Sequence, residues 1–372
     1  MMSPTLARPL AWAYVALVSY ASLYPFAGWR SQDEPWLSFM WATVAPAASR
    51  FDFFANWVGY IPLGFLLGVW VLHTGRGGGA WLMAMLLPSL LSLLLEALQV
   101  YLPSRVPSRL DWVLNTWGGL AGVVLAVVAH KTGLLALWRR TRGHWFVPDD
   151  HGALVLLVLW PCALLYPSAL PFGLGQVWLG VNRWVADAFS GTPWSGWWVV
   201  PPPSANSLSL AQTALGIGAG LLVPCLLGYS VLRDVWRRWI HTVLVVLVGM
   251  GMMGLSSALA HGPQHAWSWW SAPAAVGVTL ALLAGLALSG LTRRAALVWM
   301  LMALLVSLFL LNRMPEVPYL TESQEVWAQG RFIRFYGLTQ WLGWLWPYLT
   351  LVYALRVAGQ GHPQSGLTLP SP

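Results

Sequence analysis

Apolar runs of 18 or more residues recur along the whole chain, separated by short polar or Pro- and Gly-rich stretches. Ten are found, near 10–28, 56–73, 80–101, 112–130, 152–170, 208–230, 239–260, 272–291, 295–312 and 337–356. A helix needs about 20 residues to cross roughly 30 Å of hydrocarbon. The pattern therefore predicts an all-α polytopic membrane protein with about ten transmembrane helices. Pro161 and Pro167 interrupt the fifth run and the ninth is short, so these are its least regular members. Basic residues divide unevenly between alternate loops, 12 against 8, with "LWRRTRGHW" and "RDVWRR" both on the richer side. The excess marks cytoplasmic loops and predicts that both termini are cytoplasmic.

Composition agrees. Of 372 residues, 58% are hydrophobic and 9% charged, where soluble domains carry about 25% charged residues. The 27 tryptophans suit anchors at the membrane surface. A formal charge of +8 reflects arginines at span boundaries, so it reports topology and not a nucleic-acid partner. Cys162 and Cys225 each sit in an apolar run and give no disulfide framework. The first run has a basic start and small residues near Ala21 and Ser22, as a cleavable leader would. Because residues 10–28 are long enough to span, a retained helix is expected.

Between the runs, residues 171–207 carry many tryptophans and no span. There Gln176, Arg183 and Asp187 recur at helical spacing opposite Val177, Val181, Trp184 and Ala188, predicting an interfacial helix near 175–191. Trp194, Trp197 and Trp198 are read chiefly as interface anchors. Residues 313–336 form a polar loop in which Glu322 and Glu325 share a solvated face with Arg331 and Arg334. The loop "HTGRGGGAW" reads as short and flexible, and lacks the Gly-Lys-Ser/Thr ending of a phosphate cradle. His261 and His265 have i,i+4 spacing, but Gly262 and Pro263 break the helix that would align them and no third ligand is near. No metal and no cofactor are expected. "SLYPFAGW" (22–29) and "LLYPSALPFG" (164–173) echo one another faintly.

Candidate chemistry concentrates in "LLLEALQVYLPSRVPSRLDWVLNTWGGLAG", residues 93–122. Glu96 and Gln99 are three apart and share a helical face. Two prolines then end the helix and make a turn holding Arg105 and Arg109. Asp111 stands at the edge of the next span, where an acid caps exposed amides, and Asn115 follows one turn deeper. Gly118 and Gly122 continue the stripe as a small-xxx-small packing face. Asn56 and Tyr60, in "ANWVGYIPLGFLLG", fall at about the same depth. A lone carboxylate there costs at least about 2.5 kcal/mol, so Glu96 is expected to be paired with Arg105 or Arg109, or protonated.

Glu-x-x-Gln, the Pro- and Arg-containing turn, Asp-x-x-x-Asn-x-x-Gly-x-x-x-Gly and the upstream Asn-x-x-Gly-Tyr-x-Pro-Leu-Gly together resemble the VanZ-like membrane protein family over about residues 10–132. Glu96, Gln99, Arg105, Asp111 and Asn115 match by position. The resemblance implies a bacterial plasma-membrane protein acting on or near the envelope, in the setting of teicoplanin resistance or envelope polysaccharides. It implies no reaction. The six further spans and long outer loops depart from short members, so the expected organisation is a four-helix core, 1–145, and a six-helix extension, 146–372.

Three readings of the cluster stay open. A structural clamp would pair Glu96 with Arg105 and cap the next span with Asp111. A headgroup site would use Arg105 and Arg109 as donors to a phosphate or carboxylate, with Glu96, Gln99, Asp111, Asn115, Asn56 and Tyr60 around the rest of an envelope lipid or polyprenyl-phosphate-linked saccharide. An enzyme resembling polyprenyl-dependent glycosyltransferases would use Asp33 and Glu34 of "QDEPW" as a base or metal ligands. The preferred expectation is a non-catalytic lipid binder in the bacterial inner membrane, with membrane lipids as partners.

Overall fold

In α3 (Gly78–Gln99) one stripe of leucines faces outward and the polar residues Ser92, Glu96 and Gln99 face inward. Leu82, Leu86, Leu90 and Leu94 repeat every fourth position and are exposed, while Ser92, Glu96 and Gln99 are buried on the opposite face. The same inversion appears in α4 (Arg109–Lys131), where Trp117, Val124 and Val128 are exposed and Asn115, Gly118 and Gly122 buried. A helix in water does the reverse. Among the described residues six helices are long and apolar enough to cross a membrane, and their outward apolar faces identify a membrane-embedded chain.

The computed structural model describes residues 4–24, 26, 28–41, 50–75, 77–147, 151–195, 208–314 and 333–359. Among these, regular structure is helical. Two compact units are present, Met1–His144 and Trp145–Pro372. In the first, α1 (Pro4–Leu23), α2 (Arg50–Thr74), α3 and α4 surround a core that includes Leu63, Leu67, Trp70, Leu95, Leu102 and Ala126. The amphipathic α5 (Leu134–Trp145) reaches the boundary. The glycine run expected to be a flexible loop instead opens a helix, since α3 begins at Gly78.

The tightest packing is between α2 and α4. A Cβ on Gly118 would overlap the carbonyl oxygen of Trp57, and one on Gly122 would overlap that of Ile61. Gly64 faces the Gly119 backbone equally closely. Without a hydrophobic drive between helices in lipid, such close backbone approach is a main source of association.

The second unit is arranged around α8 (Leu210–Tyr229), capped by a Ser209/Gln212 capping box. Against it pack α6 (His151–Ala163), α9 (Val235–His261), α10 (Ala272–Leu288) and α11 (Arg293–Leu311); α12 (Ile333–Gly359) packs on α6 and α11, and α7 (Trp178–Phe189) lies between α6 and α8 in the chain. The helix α7 falls within the interfacial helix expected near 175–191; Trp178, Val181 and Trp184 are exposed and Asn182 is buried. Trp197, Trp198 and the Glu322–Arg331 part of the polar loop lie outside the described residues.

The fifth apolar run is not one helix. Pro161 is accommodated inside α6, but α6 ends at Ala163, and the chain continues as buried irregular backbone through Leu164, Tyr166, Leu170, Phe172 and Leu174. Gly220 of α8 and Gly249 of α9, both near the middle of their helices, abut Phe172. Irregular backbone is tolerated at such depth when protein groups satisfy it. Here Ser256 Oγ donates to Leu165 O (3.0 Å), Gly175 N to Gly343 O (2.8 Å) and Tyr348 Oη to Gly175 O (3.2 Å). Phe172 has φ 61°, as Phe26 has φ 60° in the echoing first-unit stretch, and in both the residue before it is proline.

The α2–α4 contact makes a direct prediction. Gly122→Ala should lower stability by about 1–3 kcal/mol through overpacking. Gly59→Ala, in the same helix pair but with nothing near its Cβ position, should be neutral or raise stability. Thermal melts of the full chain in detergent check both, and equal melts for the two variants would contradict the packing account.

Candidate functional site

Three helix ends meet where the polar stretch turns, and each leaves backbone groups needing partners. At the C-terminus of α1, Tyr20 O accepts from Tyr24 N (2.9 Å) and Leu23 O from Phe26 N (2.9 Å). The carbonyls between and beyond them are served by side chains from the opening stretch. Arg105 donates through Nε to Tyr24 O (3.0 Å), and through one terminal nitrogen to Tyr24 O (2.5 Å) and Ala21 O (3.2 Å). Gln99 Nε2 donates to Ser22 O (3.0 Å). A guanidinium is suited to this, because its planar fork presents several donors at once and stays charged. Its charge also opposes the negative end of the helix dipole.

At the N-terminus of α4 the cap is Ser108, correcting the expectation that Asp111 would cap. Ser108 Oγ accepts from Leu110 N (3.2 Å) and Asp111 N (3.5 Å). Asp111 instead occupies the first turn, where its charge favours the dipole. In a capping box the residue at this third position would reach back to the cap amide. Here Glu96, from α3, takes that amide: Ser108 N donates to Glu96 Oε2 at 2.8 Å. At the end of α3, Val100 O accepts from Gln32 Nε2 (2.6 Å) and Tyr101 O from Arg30 N (3.0 Å).

One face of α3 then continues the polar seam toward the middle. Asn115 Nδ2 donates to Ser92 Oγ (2.9 Å), Thr116 Oγ1 to Ser89 Oγ (2.9 Å) and Trp112 Nε1 to Ser89 O (3.2 Å). Tyr60 lies beside Ser92, within electrostatic reach of Glu96 and Asp111. The sequence pattern did not single out Ser89, Ser92 or Ser108, although Ser89, Ser92, Glu96 and Gln99 share one helical stripe that could have shown them.

Glu96, Gln99, Arg105, Asp111, Asn115 and Tyr60 are thus brought to one end of the unit, with Asn56 a turn before Tyr60 on α2. Gly118 and Gly122 lie deeper, against α2. Glu96, Gln99 and Arg105 are all at least nine-tenths buried. Arg109 differs: it stands exposed at the first position of α4, and among the described residues it has no hydrogen-bond or ion-pair partner. Asn115 Oδ1 is buried with no donor among the described residues. Asp33 and Glu34 are exposed on the loop that Gln32 and Arg30 tether to the end of α3, and Asp33 has φ 58°. Among the described residues no group of three or more His, Cys, Asp or Glu is placed to hold a metal.

The caps predict a graded response. Glu96→Ala removes the acceptor of a part-buried amide and should cost about 1–3 kcal/mol, whereas Glu96→Gln keeps an oxygen there and should cost less. Arg105→Lys should recover little of the loss caused by Arg105→Ala, because a compact ammonium cannot reproduce the fork. Thermal melts decide this. A fully rescued Lys variant would show that charge alone matters.

No curated protein and no solved structure matches the chain. Residues 7–130 match the model of the VanZ/LLP1 family, so the segment from α1 to the end of α4 is similar to that family, and a helical extension continues beyond it.

Proposed function

We propose that the protein is a ten-span bacterial inner-membrane protein, with both termini cytoplasmic, whose four-helix first part holds the headgroup of an envelope lipid or lipid-linked saccharide at the outer surface without reacting with it. Glycopeptide resistance and envelope polysaccharides are the settings that the family likeness brings. The observation that carries this reading is Arg109. Arg105, Gln99 and Glu96 are engaged by backbone groups, so they hold the end of the unit closed. Arg109 is the neighbouring guanidinium that faces outward and is left over, and a phosphate is the group its fork fits. Asn115 Oδ1 below is an acceptor in want of a hydroxyl or amide donor.

A second reading is favoured by one contact. The 2.6 Å bond from Gln32 to Val100 keeps Asp33 and Glu34 at this same end, where a carboxylate could act as a general base on a polyprenyl-linked sugar. Conversion of such a donor by the wild type, lost on Asp33→Asn or Glu34→Gln, would replace the binding reading.

Undecaprenyl phosphate titrated against the full chain in nanodiscs tests the proposal. Arg109→Ala should weaken binding about tenfold, the worth of one charge-assisted bond, with an unchanged melting temperature. Wild-type affinity in that variant would refute it.

A further inference from the structure

At the opposite end of the first unit, α1, α2 and α3 leave a cleft of about 450 Å³ lined by Arg8, Ala11, Trp12, Val15, Leu67, Trp70, Met83 and Leu87. The volume is in the range of sites for small ligands, about 300–1,000 Å³. Its walls follow from helix periodicity. Arg8, Ala11, Trp12 and Val15 make one stripe of α1, Leu67 and Trp70 one of α2, and Met83 and Leu87 one of α3. Because α2 ends at Thr74 and α3 begins at Gly78, these stripes all belong to the end where α1 starts. The Arg105 cap lies at the other end, where α1 finishes.

The chemistry of the lining is asymmetric. Seven of the eight residues are apolar or aromatic, and the eighth is a guanidinium in the second turn of α1. Arg8 is exposed, and among the described residues it has no carboxylate or other hydrogen-bond partner. Along α1 the lining runs from Arg8 to Val15, about 10 Å at 1.5 Å per residue. Trp12 is 58% and Met83 44% exposed, so the cleft opens sideways onto what surrounds the helices. An occupant must therefore be long and apolar in its body and anionic at one end, and must enter from the side.

We infer that this cleft binds one acyl chain of an anionic phospholipid, with the lipid phosphate on Arg8 and the chain laid along Val15, Leu67, Trp70 and Leu87. Arg8 gives the phosphate a forked donor. Trp12 presents an amphipathic ring at the boundary where such rings settle. Met83 supplies an adaptable thioether wall against a flexible chain. The site is separate from the headgroup reading at Arg109 and does not rest on it.

Native mass spectrometry of the full-length protein, released from micelles holding equal phosphatidylglycerol and phosphatidylcholine, tests this. The wild type should retain one phosphatidylglycerol in preference to phosphatidylcholine. Arg8→Gln should remove that preference, by about fivefold. Met83→Trp, which puts bulk into the cleft at a half-exposed position, should lower retention of both lipids. Arg294→Gln, which removes an exposed guanidinium on α11 of the second unit, should leave the preference intact. Equal retention of the two lipids by the wild type would overturn the inference without recourse to any variant. So would undiminished retention by Met83→Trp, or survival of the preference in Arg8→Gln.

Discussion

Where a helix stops inside an apolar surround, its last carbonyls and first amides lose access to water, and each must find a partner within the protein or cost several kcal/mol. The first unit answers this at one place. Ala21, Ser22 and Tyr24 carbonyls end on Arg105 and Gln99, and the Ser108 amide ends on Glu96. The end of α3 and the turn after it thus supply groups that close two other helix ends, so α1, α3 and α4 are fixed to one another by backbone-directed bonds. The glycine contact of α2 with α4 then sets the remaining helix. The second unit uses the same device independently. Arg238, also buried, donates to Leu232 O, Ser289 O and Leu291 O, gathering the turns that follow α8 and α10.

This accounting changes what the polar cluster means. Six such groups in an apolar hairpin look like a ligand site, and buried ionic groups in membranes commonly are functional. Three of these, Glu96, Gln99 and Arg105, are engaged with backbone, and that work is structural. Any ligand chemistry at this end then falls to what the caps do not consume, the outward guanidinium of Arg109 and the inward oxygen of Asn115. A rigid end carrying a few free groups suits holding a headgroup better than turning one over.

Much of this was legible from residue types. The apolar runs located the helices, the Glu96–Gln99 spacing put both on one face, and the Gly118–Gly122 spacing marked the face that meets α2. Residue types do not encode the backbone acceptors of another segment, however, so the partners of Arg105 and Gln99, some 80 positions earlier in the chain, were hidden. Asp111 looked like the cap because an acid before a span is a good one; Ser108 won because its hydroxyl sits at the non-helical position before Arg109. Residues 164–170 are apolar enough to read as the end of a span, and no periodicity reveals that they are irregular backbone, with Ser256 donating to Leu165 O. The Arg8 cleft is a void between three stripes, and a void leaves no mark in a sequence.

Amide hydrogen exchange across residues 103–110 in a membrane mimetic tests most directly whether Glu96 closes the end of α4. In the wild type the Ser108 amide, although outside the helix, should exchange slowly. Glu96→Ala should speed that amide while the interior of α4 stays protected. Fast exchange at Ser108 in the wild type, or protection that survives the loss of Glu96, would contradict the cap on which the account rests.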